Sequence, residues 1–362
     1  MVLAMKSTTL MEVARLAGVS TATVNRVLKN SGYVSAKTRT KIESAIKATR
    51  YRPDATARQL RNRRSMIIGH VITAMTANPF FANVARGAEE EALANGFKTL
   101  LFNHNSVAAR EREGVEQLIE RRVDAVLFTV AVSRDNVTML LEAGIPVVQI
   151  ERTATPDAPS VTVDNISGAL EAMHYIAGHG HTRIAFVGGD PLRVYTDPLM
   201  QSVEIERLDA YRSGLALAGL PIRNEYIRLG QYYRHDDGSG VEGYAHTKAL
   251  LALPNPPTAI FATCDILAAG VLQAIHEAGI RVPEDFSVVG FDDTLAMNLA
   301  PPLTTVAQPM QELGRTGFNL ALAAIRGEKN PVSVRLPSHL VVRQSVGPAP
   351  APPRAARRRA KG

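Results

Sequence analysis

The chain has 362 residues, 46% of them hydrophobic and 21% charged, which excludes a largely disordered protein and allows two or three folded domains. The single cysteine, Cys264, excludes an internal disulfide framework, and no run of about 18 apolar residues is long enough to cross a membrane. The first segment, Met1–Thr9, has no apolar core of the kind found in secretory signals. These features predict a cytoplasmic protein.

The net charge of +7 is distributed unevenly along the chain. Residues 1–64 hold 14 Lys and Arg against 3 Asp and Glu, and residues 348–362 hold five basic residues and no acidic one. The stretch between them is net acidic, at −9. A basic head on an acidic body is typical of a nucleic-acid-binding module joined to a body that does not bind nucleic acid. A solvated basic segment is the alternative.

The first 64 residues predict a series of short helices. Leu10–Ala17 has apolar residues at helical spacing, and Gly18 follows it where a tight turn requires a positive φ. A second helix, capped by Ser20, is predicted to end near Lys29, and a third begins after the capping residue Ser35.

The first two predicted helices have the composition of a helix-turn-helix pair. Ala14 is small enough to let the helices approach, Gly18 makes the turn, and valines join the two elements. The outward face of the second helix then carries Thr21, Ala22, Asn25, Arg26 and Lys29. Such a face fits the major groove of DNA. An ordinary amphipathic hairpin with a polar outer face is the alternative interpretation.

These outward residues suit different contacts with DNA. Arg26 has the geometry to bind guanine in a bidentate fashion, while Thr21 and Ala22 suit the methyl groups of thymine. Asn25 and Lys29 are better placed to contact phosphate.

From Ser65 onward, short apolar runs alternate with amphipathic helices. The first series of strands is predicted at Met66–Ile72, Phe97–Phe102, Ala125–Thr129 and Val147–Ile150, with helices near 81–95, 108–122 and 136–143. The second series of strands is predicted at Ile184–Val187, Ala259–Ala262 and Ser287–Val289, with helices near 167–178, 205–218, 242–253 and 265–278. This alternation indicates parallel βαβ units, and two series predict two lobes with ligand bound between them at the strand carboxyl ends.

Several motifs of the head occur together. They are Glu12-Val13-Ala14, Ala17-Gly18-Val19-Ser20, Thr23-Val24-Asn25-Arg26-Val27-Leu28, Val34-Ser35-Ala36-Lys37-Thr38-Arg39, Tyr51-Arg52-Pro53-Asp54 and Ala57-Arg58-Gln59-Leu60. With these motifs, residues 8–60 resemble the headpiece of the LacI/GalR family of bacterial repressors. The resemblance implies a homodimer on a pseudo-palindromic double-stranded operator. The DNA-binding residues predicted in this way are Thr9, Thr21, Ala22, Thr23, Asn25, Arg26, Lys29, Ser35, Thr38, Ala57 and Leu60.

The resemblance also implies a hinge between head and body. Residues 54–60 would form a helix that orders only on DNA, with Leu60 wedged into a minor-groove base step. Without the resemblance, Leu60 would be interpreted as a linker residue that packs on its own domain.

Motifs of the same family continue through the body. They are Gly178-His179-Gly180-His181-Thr182-Arg183-Ile184-Ala185, Val282-Pro283-Glu284-Asp285, Gly290-Phe291-Asp292-Asp293, Leu303-Thr304-Thr305-Val306 and Gln308-Pro309. The implied fold is an N-terminal all-α helix-turn-helix headpiece followed by an α/β two-lobed periplasmic-binding-protein-like domain. We expect the headpiece at 1–53, hinge helix and linker at 54–64, the effector-binding and dimerisation domain at 65–347, and a disordered basic tail at 348–362.

By position in the family, six residues are candidates for effector binding. They are Phe81, Glu151, Arg207, Tyr232, Asp265 and Asp292. Carboxylates and an arginine around aromatic faces suit the gripping of a sugar or sugar derivative. Each residue also has a structural alternative: Asp292 as a turn residue, Asp265 as a helix N-cap and Phe81 as core.

Motifs of enzymes are absent from the sequence. No phosphate-binding P-loop, no dinucleotide fingerprint after the first strand and no nucleophile elbow occurs, so we expect neither catalysis nor a cofactor. His174, His179 and His181 match no zinc spacing and are interpreted as a surface turn, so no metal is expected. A solute-binding protein remains an alternative, but it would need an export signal and would lack the basic head. Whether the effector induces or co-represses stays open.

Overall fold

The computed structural model describes residues 8–28, 30–51, 64–191, 202–232, 241–328 and 331–351. The chain forms two compact units, Met1–Ser65 and Met66–Gly362. Lys29, Ala57 and Leu60, which were predicted to contact DNA, lie outside the described residues, as does most of the predicted hinge. Within the described residues, no helix is both long and apolar enough to span a membrane.

The first unit contains the three predicted helices: α1 (Leu10–Ala17), α2 (Thr21–Leu28) and α3 (Ala36–Thr49). Thr9 and Glu12 form a capping box, in which each side chain accepts a hydrogen bond from the backbone N–H of the other. A small apolar core joins the helices and consists of Val13, Ala14, Ala17, Val24, Val27, Ile42 and Ala45.

The first lobe of the second unit is built on a six-stranded sheet whose paired strands are all parallel. Its strands are β1 (Ile67–Ile72), β2 (Lys98–Asn103), β3 (Ala125–Thr129), β4 (Val147–Ile150), β5 (Ser160–Val163) and β11 (Val334–Leu336), in the order β11-β5-β4-β3-β1-β2. The helices of this lobe are α4 (Pro79–Ala94), α5 (Ala108–Glu120), α6 (Arg134–Glu142) and α11 (Met310–Ile325). Apolar clusters line both faces of the sheet, as expected when helices cover a parallel sheet.

The second lobe repeats this plan with one antiparallel edge. Its strands are β6 (Ile184–Gly189), β7 (Ile227–Gly230), β8 (Ala259–Ala262), β9 (Ser287–Asp292), β10 (Thr304–Ala307) and β12 (His339–Val341), in the order β12-β10-β9-β8-β6-β7. Only the pairing of β12 with β10 is antiparallel among the described strands. The helices are α7 (Asn165–Gly178), α8 (Val203–Leu217), α9 (Val241–Leu251) and α10 (Asp265–Glu277).

The chain passes between the lobes three times, after β5, after β10 and after β11. Two of these crossings are tied together, because the N–H of Asp164 donates to Leu336 O at 2.8 Å and the Ser338 hydroxyl donates to Asp164 O at 2.7 Å. The late helix α11 returns to the first lobe and packs on α4, where Gly87 and Gly314 allow the two backbones to approach. The first lobe is therefore completed only by the C-terminal part of the chain.

The strands predicted from the sequence are present. The bounds of β3, β4 and β8 are those predicted, and the bounds of β1, β2, β6 and β9 differ by one to three residues. The sequence interpretation did not include β5, β7, β10, β11, β12 or α11. These strands are only three or four residues long, and three of them, β7, β11 and β12, are edge strands. Tertiary pairing rather than local pattern makes them strands.

The prediction that the histidine-rich turn lies at the surface is wrong for His181. Its ring is buried and lies 2.9 Å from both Thr258 Oγ1 and Ser287 Oγ, with Gly347 O at 3.1 Å. The predicted tail also begins inside the fold, because the N–H of Ala349 donates to His179 O at 2.8 Å. Among the described residues, no three His, Cys, Asp or Glu side chains are grouped as a metal site would require.

Candidate DNA-binding head and ligand cleft

The helix pair of the head is held by its turn. Gly18 ends α1 with a φ of 69°, and the N–H of Val19 donates to Ala14 O at 3.0 Å. Ser20 then caps α2, because its hydroxyl accepts from the N–H of Thr23 at 3.2 Å. With Val24 buried beneath, this geometry fixes which residues of α2 face outward.

The second helix presents most of its predicted outward residues to different degrees. Thr21, Ala22 and Arg26 are exposed, whereas Thr23 and Asn25 are half-buried. The aliphatic part of Arg26 runs beside Gly32, since a Cβ on that glycine would lie 3.6 Å from Arg26 Cδ. The Arg26 side chain therefore lies along the turn that follows α2 and remains exposed to a partner.

Two of the other predicted DNA contacts cap helices in the folded head. Thr9 caps α1, and Ser35 caps α3 by accepting from the N–H of Thr38 at 3.2 Å. The hydroxyls of Ser35 and Thr38 also lie 2.8 Å apart. Helix N-termini present backbone N–H groups to anions, so a capping role is compatible with the predicted phosphate contacts.

A cavity of about 200 Å³ lies where the strand carboxyl ends of the two lobes face each other. Five of the six predicted effector residues line it: Phe81, Glu151, Arg207, Tyr232 and Asp292. Several polar residues that the sequence interpretation missed line it too: Thr73, Asn78, Ser106, Arg152 and Gln231. All of them except Asn78 lie within three residues of the carboxyl end of β1, β2, β4 or β7. Their position just after a strand could have identified them from the sequence.

Asp265 is the exception, and its predicted effector contact needs correction. Its buried carboxylate accepts from Thr305 Oγ1 at 2.7 Å and from the N–H of Thr294 at 2.6 Å, and it does not line the cavity. The alternative role as a helix N-cap is wrong as well, because Cys264 occupies the N-cap of α10 and its Sγ accepts from the N–H of Leu267. Asp265 instead braces the loop that follows β9.

Arg207 is held rigidly in the second lobe. Its Nε and Nη2 donate to Asn165 Oδ1 at 3.0 and 2.9 Å, and its Nη1 donates to Thr263 O at 2.8 Å. The guanidinium lies 3.8 Å from the centroid of the Phe291 ring. Among the described residues, these acceptors take three of the five N–H groups of Arg207. The other two N–H groups are therefore held in a fixed position and can donate to a ligand.

Asp292 ends β9 at the cavity with a φ of 110°. Gln308 Nε2 donates to one carboxylate oxygen at 2.6 Å, and Asn78 Nδ2 donates to the other at 3.4 Å from the opposite lobe. Burial raises the pKa of Asp292 to about 7, although the Arg207 guanidinium opposes this rise.

Four non-glycine residues that line the cavity have positive φ angles. They are Ser106, Val130, Glu151 and Asp292, with φ of 58°, 62°, 71° and 110°. Such a backbone costs about 1–3 kcal/mol per residue and is disfavoured most strongly for a β-branched side chain such as Val130. Strained backbone of this kind concentrates at ligand-binding sites, where it aims side chains that ordinary strand ends would direct elsewhere.

Two buried polar atoms that border the cavity have no hydrogen-bond partner among the described residues. They are Glu151 Oε2 and the hydroxyl of Tyr232. Burial raises the pKa of Glu151, while the Arg152 and Arg207 guanidinium groups oppose that rise. An acceptor in one lobe and a hydroxyl in the other, both without a hydrogen bond, suit a ligand that carries hydroxyl groups.

A buried ion pair joins the lobes at the edge of the cavity. Arg152 follows β4 in the first lobe, and its Nη2 lies 2.6 Å from Oε1 of Glu204 in the second. Ser202 donates its hydroxyl to the other oxygen of Glu204 at 2.8 Å. Burial alone would raise the pKa of Glu204, but Arg152 and the Ser202 hydroxyl together hold it below its usual value. Neither Arg152 nor Glu204 was predicted, because they lie 52 positions apart in the sequence.

A helix-turn-helix unit followed by a two-lobed α/β body with a polar cleft defines a DNA-binding protein that carries a ligand-binding domain. Residues 9–54 match the family described as bacterial regulatory proteins, lacI family, and residues 173–346 match the periplasmic binding protein-like domain.

Similar proteins match along nearly the whole chain. The HTH-type transcriptional regulator DegA of Bacillus subtilis is 34% identical over 349 residues, covering 94% of this chain and 98% of the relative. The ribose operon repressor of Escherichia coli is 34% identical over 321 residues, covering 88% and 93%. A lac repressor dimer bound to operator and the anti-inducer ONPF superposes with a TM-score of 0.81 at 28% identity, covering 94% of this chain and all of that one. The chain belongs to the lacI family of bacterial regulatory proteins and is a DNA-binding transcriptional regulator.

Proposed function

We propose that this chain is a homodimeric repressor that binds a pseudo-palindromic operator in the cytosol and releases or tightens it when a sugar or sugar derivative occupies the cleft. The observation that supports ligand binding is that two buried atoms at the cavity, Glu151 Oε2 and the Tyr232 hydroxyl, have no hydrogen-bond partner among the described residues. A polyhydroxy ligand supplies a donor to the first and a partner to the second.

The relatives support this ligand class. One is named as a ribose operon repressor, and a lacI-family regulator from Enterococcus faecium was solved with bound ribose; it superposes with a TM-score of 0.66 at 29% identity. The volume of about 200 Å³ also favours a compact ligand over a drug-sized one. We propose a monosaccharide-sized effector and no catalytic activity.

The cleft explains how a ligand acts on the lobes. Glu151 belongs to the first lobe, whereas Arg207, Tyr232 and Asp292 belong to the second. A ligand that contacts both sides binds one arrangement of the lobes better than another and shifts the population toward it. The effector then raises or lowers operator affinity, depending on whether it favours the arrangement of the lobes in which the head binds DNA.

Operator binding is tested first with the purified full chain, by selecting duplexes from a randomised library at physiological salt and titrating the enriched sequence against a shuffled one. We expect an enriched pseudo-palindrome that is bound at least about a thousandfold more tightly than the shuffled duplex. Equal affinity for both duplexes would contradict the proposal.

A thermal-shift panel of sugars, polyols and nucleobases then identifies the effector class.

A further inference from the structure

We infer that Glu204 is a specificity-determining residue of the cleft: by pairing with Arg152 it makes the site accept uncharged polyhydroxy ligands and reject anionic ones. This inference rests on the proposed function, since it concerns which effectors enter the same cleft.

The first step is the position of Arg152 between two carboxylates. Its Nη2 lies 2.6 Å from Glu204 Oε1, and its Nε lies 3.7 Å from Glu151 Oε2. The side chain of Arg152 is 7% exposed and that of Glu204 is fully buried, so water does not weaken this pair. A guanidinium engaged in this way is not free to form the bidentate bond that it would offer to a carboxylate or phosphate.

The second step is the charge of the whole cleft. The other cation that lines the cavity is Arg207. Burial raises the pKa of both Glu151 and Asp292, and the nearby Arg207 guanidinium opposes both rises. Among the described residues, the two cations Arg152 and Arg207 face the carboxylates of Glu151 and Glu204, while Asp292 is only partly ionised near neutral pH because burial raises its pKa to about 7. Without the negative charge of Glu204, the positive charges of the cleft would outnumber the negative ones near neutral pH.

The third step is that the fold makes room for Glu204 at this place. A Cβ on Gly189, at the end of β6, would lie 2.9 Å from Glu204 Cγ and 2.6 Å from Tyr232 Cε2. Only glycine therefore allows the Glu204 stem and the Tyr232 ring to pack against the same stretch of backbone. The carboxylate reaches Arg152 through this gap, beside a side chain that borders the ligand.

The inference predicts what happens when the charge of Glu204 is removed. In Glu204→Gln, Arg152 loses the carboxylate nearest to it, and the charge of the cleft increases by one unit. At an effective dielectric constant of about 20, one unit charge a few ångströms from a ligand changes its affinity by more than about tenfold. Affinity for anionic sugars is expected to rise relative to that for neutral sugars.

The experiment is isothermal titration of the full chain with matched probes: D-ribose against D-ribose 5-phosphate, D-glucose against D-glucuronate, and D-galactose against D-galacturonate. We expect the wild type to bind a neutral sugar at least about tenfold more tightly than its anionic partner. In Glu204→Gln this ratio should fall by at least about tenfold. The double variant Arg152→Gln/Glu204→Gln, which removes both charges, should restore the wild-type ratio.

Exposed Glu90→Gln is the matched control and should leave the ratio unchanged. If Glu204→Gln does not give the wild-type circular dichroism spectrum, Glu204→Ser carries the same charge change and admits water beside Arg152. An unchanged ratio in the folded variant, or a wild type that prefers the anionic probe, would overturn the inference and leave the proposed function intact. If the wild type binds none of the sugars, the proposed effector class is wrong and the inference falls with it.

Discussion

Asp292 connects the strand β9, the opposite lobe and the ligand cavity, and its burial raises its pKa to about 7. The folded chain therefore holds a proton on this side chain that the unfolded chain loses near the ordinary Asp pKa of about 4. Because the unfolded state binds fewer protons between these values, the contribution of Asp292 to stability falls as the pH rises from about 4 to about 7 and then levels off.

The test compares wild type with Asp292→Asn, which cannot lose this proton. The free energy of unfolding of the wild type, relative to that of the variant, should fall by a few kcal/mol between about pH 5 and about pH 8. Urea denaturation of the ligand-free chain, followed by circular dichroism, measures this difference. Asp209→Asn changes an exposed carboxylate and should follow the wild-type pH profile. A pH-independent difference for Asp292→Asn would contradict the protonation of Asp292.

Arg26 is the residue of the head with the most direct predicted contact to a base. Replacing it with alanine removes a bidentate donor and should cost about 1–3 kcal/mol of operator binding, with relaxed discrimination at one base pair in each half-site. Fluorescence anisotropy with the selected operator and single-base variants measures both effects. Arg110→Ala removes an equal charge from an exposed helix of the body and should leave operator affinity unchanged. Loss of affinity without loss of discrimination would make Arg26 a phosphate contact.

At the scale of elements, the helix pair α4 and α11 completes the first lobe. A Cβ on Gly314 would collide with Val84 O and the backbone of Ala88, which cannot move without separating the helices. Gly314→Ala should therefore lower the free energy of unfolding by about 1–3 kcal/mol, as overpacking typically does. Gly178→Ala, at the end of α7, meets no atom within 4 Å and should be tolerated. Equal urea midpoints for the two variants would contradict this close packing.

The elements also determine how far the sequence predicts the fold. The strands β1, β3, β4, β6, β8 and β9 were predicted because they are apolar runs buried on both faces. The strand β11 has three residues and no distinct pattern, and it exists because it pairs with β5 across about 170 positions. Likewise, local motifs located Arg207 and Asp292, whereas Arg152 and Glu204 meet only through the closure of two lobes.

At the scale of the whole molecule, the head and the cleft are expected to be coupled reciprocally. If saturating effector changes operator affinity by a given factor, saturating operator must change effector affinity by the same factor. Isothermal titration of the effector with and without operator, compared with anisotropy of operator with and without effector, measures both factors.

Asp292→Ala should abolish the effector response while operator binding remains. If it loses both together, Asp292 is a folding residue instead.

The three crossings between the lobes have a consequence for synthesis on the ribosome. The first lobe lacks α11 and β11 until residue 336 has been made, so the second lobe must be almost fully translated before the first can finish folding. The head has its own small apolar core, so its folding does not depend on completion of either lobe. A chain that ends after β10 would leave α4 and the edge of β5 uncovered, and quality-control proteases would bind that apolar surface. The ligand-binding body is therefore complete only when nearly all of the chain has left the ribosome.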